Sequence, residues 1–177
     1  MFAIDAYRPD QWHDFFVMVG GSAAVLTGLV FVALSLAVNV VTQDATHRYR
    51  AIDTLTAMTG VFVICALALM GGQDHRAVGV EWLVVAAISI AVYLRGYVKA
   101  VRLGGSKAWL RGRRTVAAAL LYLAQLVGAA WLVAGHIAGL YVAAVAMVVA
   151  LTFMVSGAWL LLVGMTMREP KAPDRSP

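Results

Sequence analysis

The sequence contains little cysteine, little proline outside its last residues, and few charged residues. Its single cysteine, Cys65, lies within a long apolar run, which excludes a disulfide framework and a CxxC metal or redox motif. Three of the four prolines fall within residues 168–177, so the apolar part of the chain is almost free of helix breakers. Charged residues make up 13% of the chain, about half the share found in soluble domains. The chain therefore lacks the polar surface of a water-soluble domain.

Recognisable catalytic patterns are also missing from the sequence. It contains no GxSxG, P-loop or GxGxxG motif and no Ser, His and Asp order typical of hydrolases. No carboxylate lies in the middle of an apolar run, which argues against proton-coupled or sodium-coupled transport. We therefore expect a protein that is not an enzyme and that needs no cofactor.

Long uncharged runs dominate what is present. Hydrophobic residues form 62% of the 177 positions, and the mean hydropathy is +0.83. Uncharged apolar stretches of about 18 residues or more are typical of membrane-spanning helices. The sequence predicts an all-α polytopic membrane protein with five spans, over residues 15–41, 54–70, 78–98, 115–134 and 140–167.

The distribution of Lys and Arg predicts the orientation of these spans. Residues 42–50, 99–114 and 168–177 carry two, six and three basic residues, whereas Arg8 and Arg76 are the only ones on the other side. Because cytoplasmic loops are enriched in Lys and Arg, the N-terminus is predicted outside and the C-terminus inside the cell. This predicts an extracytoplasmic segment 1–14, a membrane domain 15–167 and a disordered cytoplasmic tail 168–177, in the inner (plasma) membrane of the cell.

Aromatic residues agree with this orientation, since Trp and Tyr favour the two membrane interfaces. One set falls near the predicted outer boundary, namely Trp12, Trp82, Trp131 and Tyr141, and another near the inner one, namely Tyr49, Tyr97, Trp109 and Trp159. The loop between the third and fourth spans is basic and contains no acid. We expect anionic lipid headgroups, and not nucleic acid, to contact its cations, which are Lys99, Arg102, Lys107, Arg111, Arg113 and Arg114.

The first span has one small and polar side. On a helix, this side is formed by Gly20, Ala24, Thr27, Gly28, Phe31, Ser35 and Asn39. Lipid tails solvate Leu as well as a second helix does, so a small-residue stripe favours close approach of another backbone. The stripe predicts either a packing face or the lining of a pore.

A few other polar residues are candidates for a site. Gln125 is the deepest strongly polar side chain; we expect it to bond across to another helix, with a pore or ligand pocket as the alternative. Asn39 and Asp53 could meet around the short inner loop with Arg48 or Arg50, but we interpret them as ordinary residues at helix ends, with Asp53 favoured by the dipole at a helix N-terminus. The weak metal candidates His13, His75 and His136 come from three separate segments without ligand spacing, so we expect solvated histidines and no metal site.

Three segments carry a resemblance to a known group. Trp12–Gly21 (WHDFFVMVGG), Thr27–Ser35 (TGLVFVALS) and Gly139–Val145 (GLYVAAV) resemble small bacterial multi-pass proteins of unknown function, some of them labelled "modulator of FtsH protease". The resemblance covers nearly the whole chain and implies a bacterial multi-pass membrane protein. It implies no site residues.

Two hypotheses for the function follow. The first is a protein that acts by association, either as a homo-oligomer or as an accessory or regulatory partner of another membrane protein. The second is an oligomeric channel or small-solute permease lined by the small and polar face of the first span. A membrane enzyme or metal-binding protein is a third alternative.

Overall fold

The computed structural model describes residues 9–36, 38, 45–102 and 112–166. These residues form five α-helices and no strand: α1 (Pro9–Leu36), α2 (Ala45–Ala68), α3 (His75–Arg102), α4 (Arg113–Val133) and α5 (Ala138–Thr166). Each of the five is long and apolar enough to cross a membrane. The predicted all-α architecture with five spans is therefore confirmed.

The helices extend beyond the apolar runs that predicted them. α1 begins at Pro9, at the helix start that proline favours, and α2 begins at Ala45, well before its apolar run. Hydropathy identifies the part of a helix that lies in hydrocarbon, but it does not detect polar turns that continue the same helix into water.

The predicted orientation and the division at residues 14 and 167 stay predictions. Residues 1–8 and 167–177 lie outside the described part of the chain.

Two short turns join the helices at one end of the bundle. Gly72, between α2 and α3, has φ 78°, and Gly135, between α4 and α5, has φ 89°. In the second turn the N–H of His136 donates to the carbonyl of Trp131 at 2.9 Å, which closes α4 in a Schellman arrangement around Gly135. Both turns fall in gaps between the predicted spans, the first between residues 70 and 78 and the second between residues 134 and 140. We call this the turn end of the bundle.

Neighbouring helices along the chain pack against each other, and α5 returns to contact both α1 and α2. The five helices therefore form a ring in the order α1 to α5, and α2 also contacts α5 across the ring. The opposite end, which we call the basic end, holds the described cations Arg48, Arg95, Lys99 and Arg102.

The main core lies towards the turn end. Trp82 is only 1% exposed, and its ring meets that of Phe16 edge to face, with centroids 5.9 Å apart. Trp82 packs in the core because α3 turns it towards α1; its predicted depth near the outer boundary stays a prediction. A smaller core nearer the basic end is built from Val30, Met58 and Met154.

α4 and α5 approach most closely at a pair of glycines. A Cβ built on Gly128 would lie 2.9 Å from the carbonyl oxygen of Gly139, and one built on Gly139 would overlap the carbonyl oxygen of Gly128 and lie 2.9 Å from the nitrogen of Leu132. These neighbours are backbone atoms, which cannot move aside as a flexible side chain does. The crossing therefore requires glycine at both positions.

We predict that Gly139→Ala destabilises the bundle by about 1–3 kcal/mol, because α4 and α5 must separate to admit the methyl group. The measurement is the free energy of unfolding of the purified protein in detergent, followed by tryptophan fluorescence. Gly71→Ala, in the turn between α2 and α3, is the control, since a Cβ there meets no described atom within 4 Å and the φ of Gly71 is not positive. Its effect should stay within about 0.5 kcal/mol. Equal effects of the two changes would contradict close packing at the α4–α5 crossing.

Candidate functional site

A carboxylate and two tyrosines join three helices at the basic end. The hydroxyl of Tyr122 on α4 donates to Oδ1 of Asp53 on α2 at 3.1 Å. The interpretation of Asp53 as a helix cap is wrong, because α2 begins at Ala45 and Asp53 lies in its third turn. The carboxylate is instead directed between helices, where it accepts a hydrogen bond from a neighbouring span.

Tyr93 of α3 completes this cluster. Its hydroxyl donates to the carbonyl of Thr115 at 3.3 Å, at the start of α4. Its ring centroid lies 5.4 Å from that of Tyr122 and 6.5 Å from that of Tyr97, which is one turn further along α3. Aromatic contacts at these separations are favourable, and the buried ring bodies leave their polar ends to hydrogen bonds. α2, α3 and α4 are thereby tied together near the membrane boundary.

Next to this cluster, a cleft of about 210 Å³ opens between α2 and α3. Asp53 lines its α2 side, and Tyr93, Arg95 and Lys99 line its α3 side. Both cations are exposed, whereas Asp53 is half-buried. The cleft thus combines one acidic and two basic groups with aromatic rings, at the ends of two membrane spans.

A smaller cavity lies in the bundle interior, among the described residues. A cavity of about 50 Å³ lies between α2, α3, α4 and α5, close to Ser89 and Gln125. The amide of Gln125 donates to the carbonyl of Ala143 on α5 at 3.4 Å, so the expected bond to another helix is present. Such a cavity holds a few water molecules at most and is mainly apolar in its lining.

The small-residue stripe of α1 divides between two surfaces. Gly20 is buried against α2, where its Cβ position would be 2.8 Å from the Cβ of Cys65. Thr27 is partly buried and donates to the carbonyl of Ala23 at 2.7 Å. The remaining described members are exposed on the outer surface of the bundle; they are Ala24, Gly28, Phe31 and Ser35. Asn39 lies outside the described residues.

The predicted headgroup residues are only partly described. Lys99 and Arg102 are exposed at the basic end of α3, as a contact with headgroups requires. Lys107 and Arg111 lie outside the described residues, as do the side chains of Arg113 and Arg114. Their contact with anionic lipid stays a prediction.

A second polar group lies at the turn end. The amide of Gln73 donates to Oε1 of Glu81 at 2.9 Å. Buried atoms of the same two side chains and of Trp82, namely Gln73 Oε1, Glu81 Oε2 and Trp82 Nε1, have no hydrogen-bond partner among the residues described. The bond from Gln73 to Glu81 ties the turn before α3 to the second turn of that helix.

The histidines do not converge on a metal site in the described part of the chain. Nδ1 of His75 lies 2.6 Å from Oδ1 of Asp74, its neighbour in the α2–α3 turn. Within the described ranges, no group of three or more His, Cys, Asp or Glu side chains could hold a metal ion. The weak candidates His13, His75 and His136 therefore gain no support as ligands.

Sequence reasoning missed Tyr93 and Tyr122. A usable signal was present, because a tyrosine within an apolar span needs a hydrogen-bond partner for its hydroxyl. Asp53 is the described side chain that meets this need for Tyr122.

Comparisons with protein-family models, curated proteins and solved structures find no match to this chain.

We predict that Tyr122→Phe lowers the free energy of unfolding by about 1–2 kcal/mol, because Asp53 loses a donor while the ring contact with Tyr93 is kept. Tyr141→Phe is the matched control: this tyrosine is exposed near the turn end, and its change should stay within about 0.5 kcal/mol. Detergent-solubilised variants compared by chemical unfolding provide the measurement. A Tyr122→Phe protein as stable as the control would show that the hydrogen bond to Asp53 contributes nothing.

Proposed function

We propose that this protein acts by association within a bacterial inner membrane, as a homo-oligomer or as an accessory partner of another membrane protein, and that it is not an enzyme. One observation carries the proposal: the outward side of α1 exposes Gly21 and Gly28, at which a Cβ would meet no described atom within 4 Å. Glycines on an outer surface are not needed to pack α1 inside its own bundle.

The spacing of these residues supports a helix-packing surface. Gly21, Gly28 and Ser35 follow one another at seven-residue intervals and lie almost on one line along α1, with a drift of about 20° per interval. Small residues along one line let a second helix approach closely, which raises the van der Waals contact on which association in lipid depends. We call this line the α1 outer face.

The polar groups of the α1 outer face are compatible with a dry contact. The hydroxyl of Ser35 donates to the carbonyl of Phe31 at 2.8 Å, and that of nearby Ser22 donates to the carbonyl of Met18 at 2.7 Å. Because these donors are satisfied within α1, the face can meet lipid or another helix without losing a hydrogen bond. The alternative, a channel or permease lined by the small and polar side of the first span with Thr27, Ser35 and Asn39, stays a prediction that ion flux in liposomes tests.

The test replaces Gly28 by leucine. We predict that Gly28→Leu raises the dissociation constant of the complex about tenfold or more, because the side chain holds the two helices apart. The measurement is the mass distribution of the protein in lipid nanodiscs across a dilution series. Ala119→Leu is the matched control, since it places the same side chain on the exposed side of α4.

A second measurement separates the two forms of association. Gly28→Cys should cross-link in native membranes, either to a second copy or to a different protein, while buried Cys65 stays unreactive. Association through α1 would be contradicted by two results together. The wild type and the Gly28→Leu variant would both be monomeric in nanodiscs, and Gly28→Cys would give no cross-linked product in membranes.

A further inference from the structure

The cleft between α2 and α3 has the chemistry of a site for an anion, and its interpretation does not depend on the proposed association. Its volume of about 210 Å³ is well above the roughly 10–15 Å³ that accommodates one water. Lys99, which lines the cleft, ends one membrane span, and Ala51 begins the span on the opposite side. The cleft therefore lies at the membrane boundary, at the depth of lipid headgroups.

The charged residues of the cleft lie at different depths. α2 and α3 are antiparallel, and a Cβ built on Gly96 would lie 3.7 Å from the ring of Tyr49, which places these two residues at one level. Lys99 follows Gly96 by three residues towards the basic end, whereas Asp53 follows Tyr49 by four residues towards the bundle interior. At 1.5 Å per residue, Lys99 and Asp53 are about 10 Å apart along the helix axes. The cleft therefore has a basic outer half and an inner half that contains the carboxylate.

Two cations of the outer half suit a phosphate. Arg95 and Lys99 are four residues apart on α3, which places them on the same side of the helix. Both side chains are exposed, and their long stems let the guanidinium and the ammonium meet one ligand. These groups form charge-assisted hydrogen bonds with phosphate oxygens.

Two tyrosines complete the outer half. Tyr49 lines it from α2 and Tyr97 from α3, and both are half-buried. A phenol hydroxyl can donate a hydrogen bond to a phosphate oxygen. The Arg48 guanidinium carbon lies 5.3 Å from the centroid of the Tyr49 ring, which brings a third cation next to the cleft. The outer half therefore combines hydrogen-bond donors with an excess of positive charge.

The inner half of the cleft is mainly apolar. Ile52 and Val92 line it together with Tyr93 and Asp53. The carboxylate of Asp53 accepts the hydroxyl of Tyr122 and has a further partner, so the protein itself engages this group. With increasing depth the lining changes from cationic to apolar, which is the order of the phosphate and the acyl chains in a phospholipid.

We propose that the cleft between α2 and α3 binds an anionic phospholipid, with its phosphate between Arg95 and Lys99 and its acyl chains along the inner half. The ammonium of a zwitterionic headgroup would be repelled by these two cations and by Arg48. It would gain no compensating contact with Asp53, which is already engaged by Tyr122 and its further partner. The cleft therefore favours phosphatidylglycerol chemistry over that of phosphatidylethanolamine and phosphatidylcholine.

The test compares these three lipids with identical acyl chains at equal mole fractions. Lipid retained by the full-length purified protein is measured by native mass spectrometry. We expect the wild type to retain phosphatidylglycerol about tenfold more strongly than either zwitterionic lipid, the factor expected for one charged contact. Equal retention of all three lipids, or preferred retention of a zwitterionic one, would overturn the proposal.

Variants distinguish a site in the cleft from a general attraction of anionic lipid to the basic end. Lys99→Gln should lower the preference for phosphatidylglycerol to about twofold or less, because it removes one of the two phosphate contacts. Arg102→Gln is the matched control: it removes the same charge from an exposed position of α3 that lies beyond the cleft, and the preference should stay within about twofold of the wild-type value. Equal losses in the two variants would overturn the assignment to the cleft.

A third variant changes the space and leaves every charge in place. Gly96 lines the cleft, and its Cβ position is in ordinary contact distance of the Tyr49 ring, so Gly96→Leu places a side chain within the cleft. We expect this variant to retain less phosphatidylglycerol than the wild type. Wild-type retention by a folded Gly96→Leu protein would contradict binding between α2 and α3.

A final arm distinguishes a membrane lipid from a soluble ligand with the same phosphate. Glycerophosphoglycerol carries the headgroup of phosphatidylglycerol without acyl chains. We expect it to bind at least about tenfold more weakly than the lipid, since it leaves the exposed side chain of Ile52 uncovered. Binding as tight as that of the lipid would overturn the assignment to a membrane lipid.

Discussion

The fold depends on the close approach of helix backbones at glycine. Burying apolar side chains against each other gains little in lipid, so van der Waals contact between closely packed helices must hold the bundle together. Every sequential interface contains such a contact: a Cβ added to the glycine would fall within 3.1 Å of the neighbouring helix at Gly20 with Cys65, Gly60 with Ser89, Gly79 with Val133, and Gly128 with Gly139. The glycine positions thereby set which faces of the helices meet.

These contacts are unevenly placed, which gives the two ends of the bundle different properties. Three of the four lie towards the turn end, where the main core surrounds Trp82. Towards the basic end the core shrinks to Val30, Met58 and Met154, and the helices are joined instead by the hydroxyls of Tyr93 and Tyr122. The cleft between α2 and α3 lies at this end, where the packed core is smaller.

The sequence predicted the five spans because charge is costly in hydrocarbon, and the gaps between charged residues therefore mark the helices. It could not predict which face of α1 turns inward. In a soluble helix the polar side identifies solvent, but both sides of a lipid-embedded helix are apolar, so Gly20 and Gly28 look alike although one is buried and the other exposed. Asp53 was misread for a related reason, since hydropathy does not register the polar turns with which α2 begins.

The small residues of α1 are divided between an internal contact and the outer surface of the bundle. Gly20 and Gly21 are adjacent in sequence, yet Gly20 packs against Cys65 of α2 and Gly21 faces outward. Neighbouring positions on a helix are about 100° apart, so a small-residue segment can serve an internal and an external contact at once. The polar groups are also divided between internal and outer positions: the hydroxyl of Ser35 bonds within α1 on the outer surface, whereas Asp53 accepts a hydrogen bond from Tyr122 of another helix. A bundle this small therefore keeps a largely apolar interior and exposes its distinctive chemistry on α1 and at the basic end.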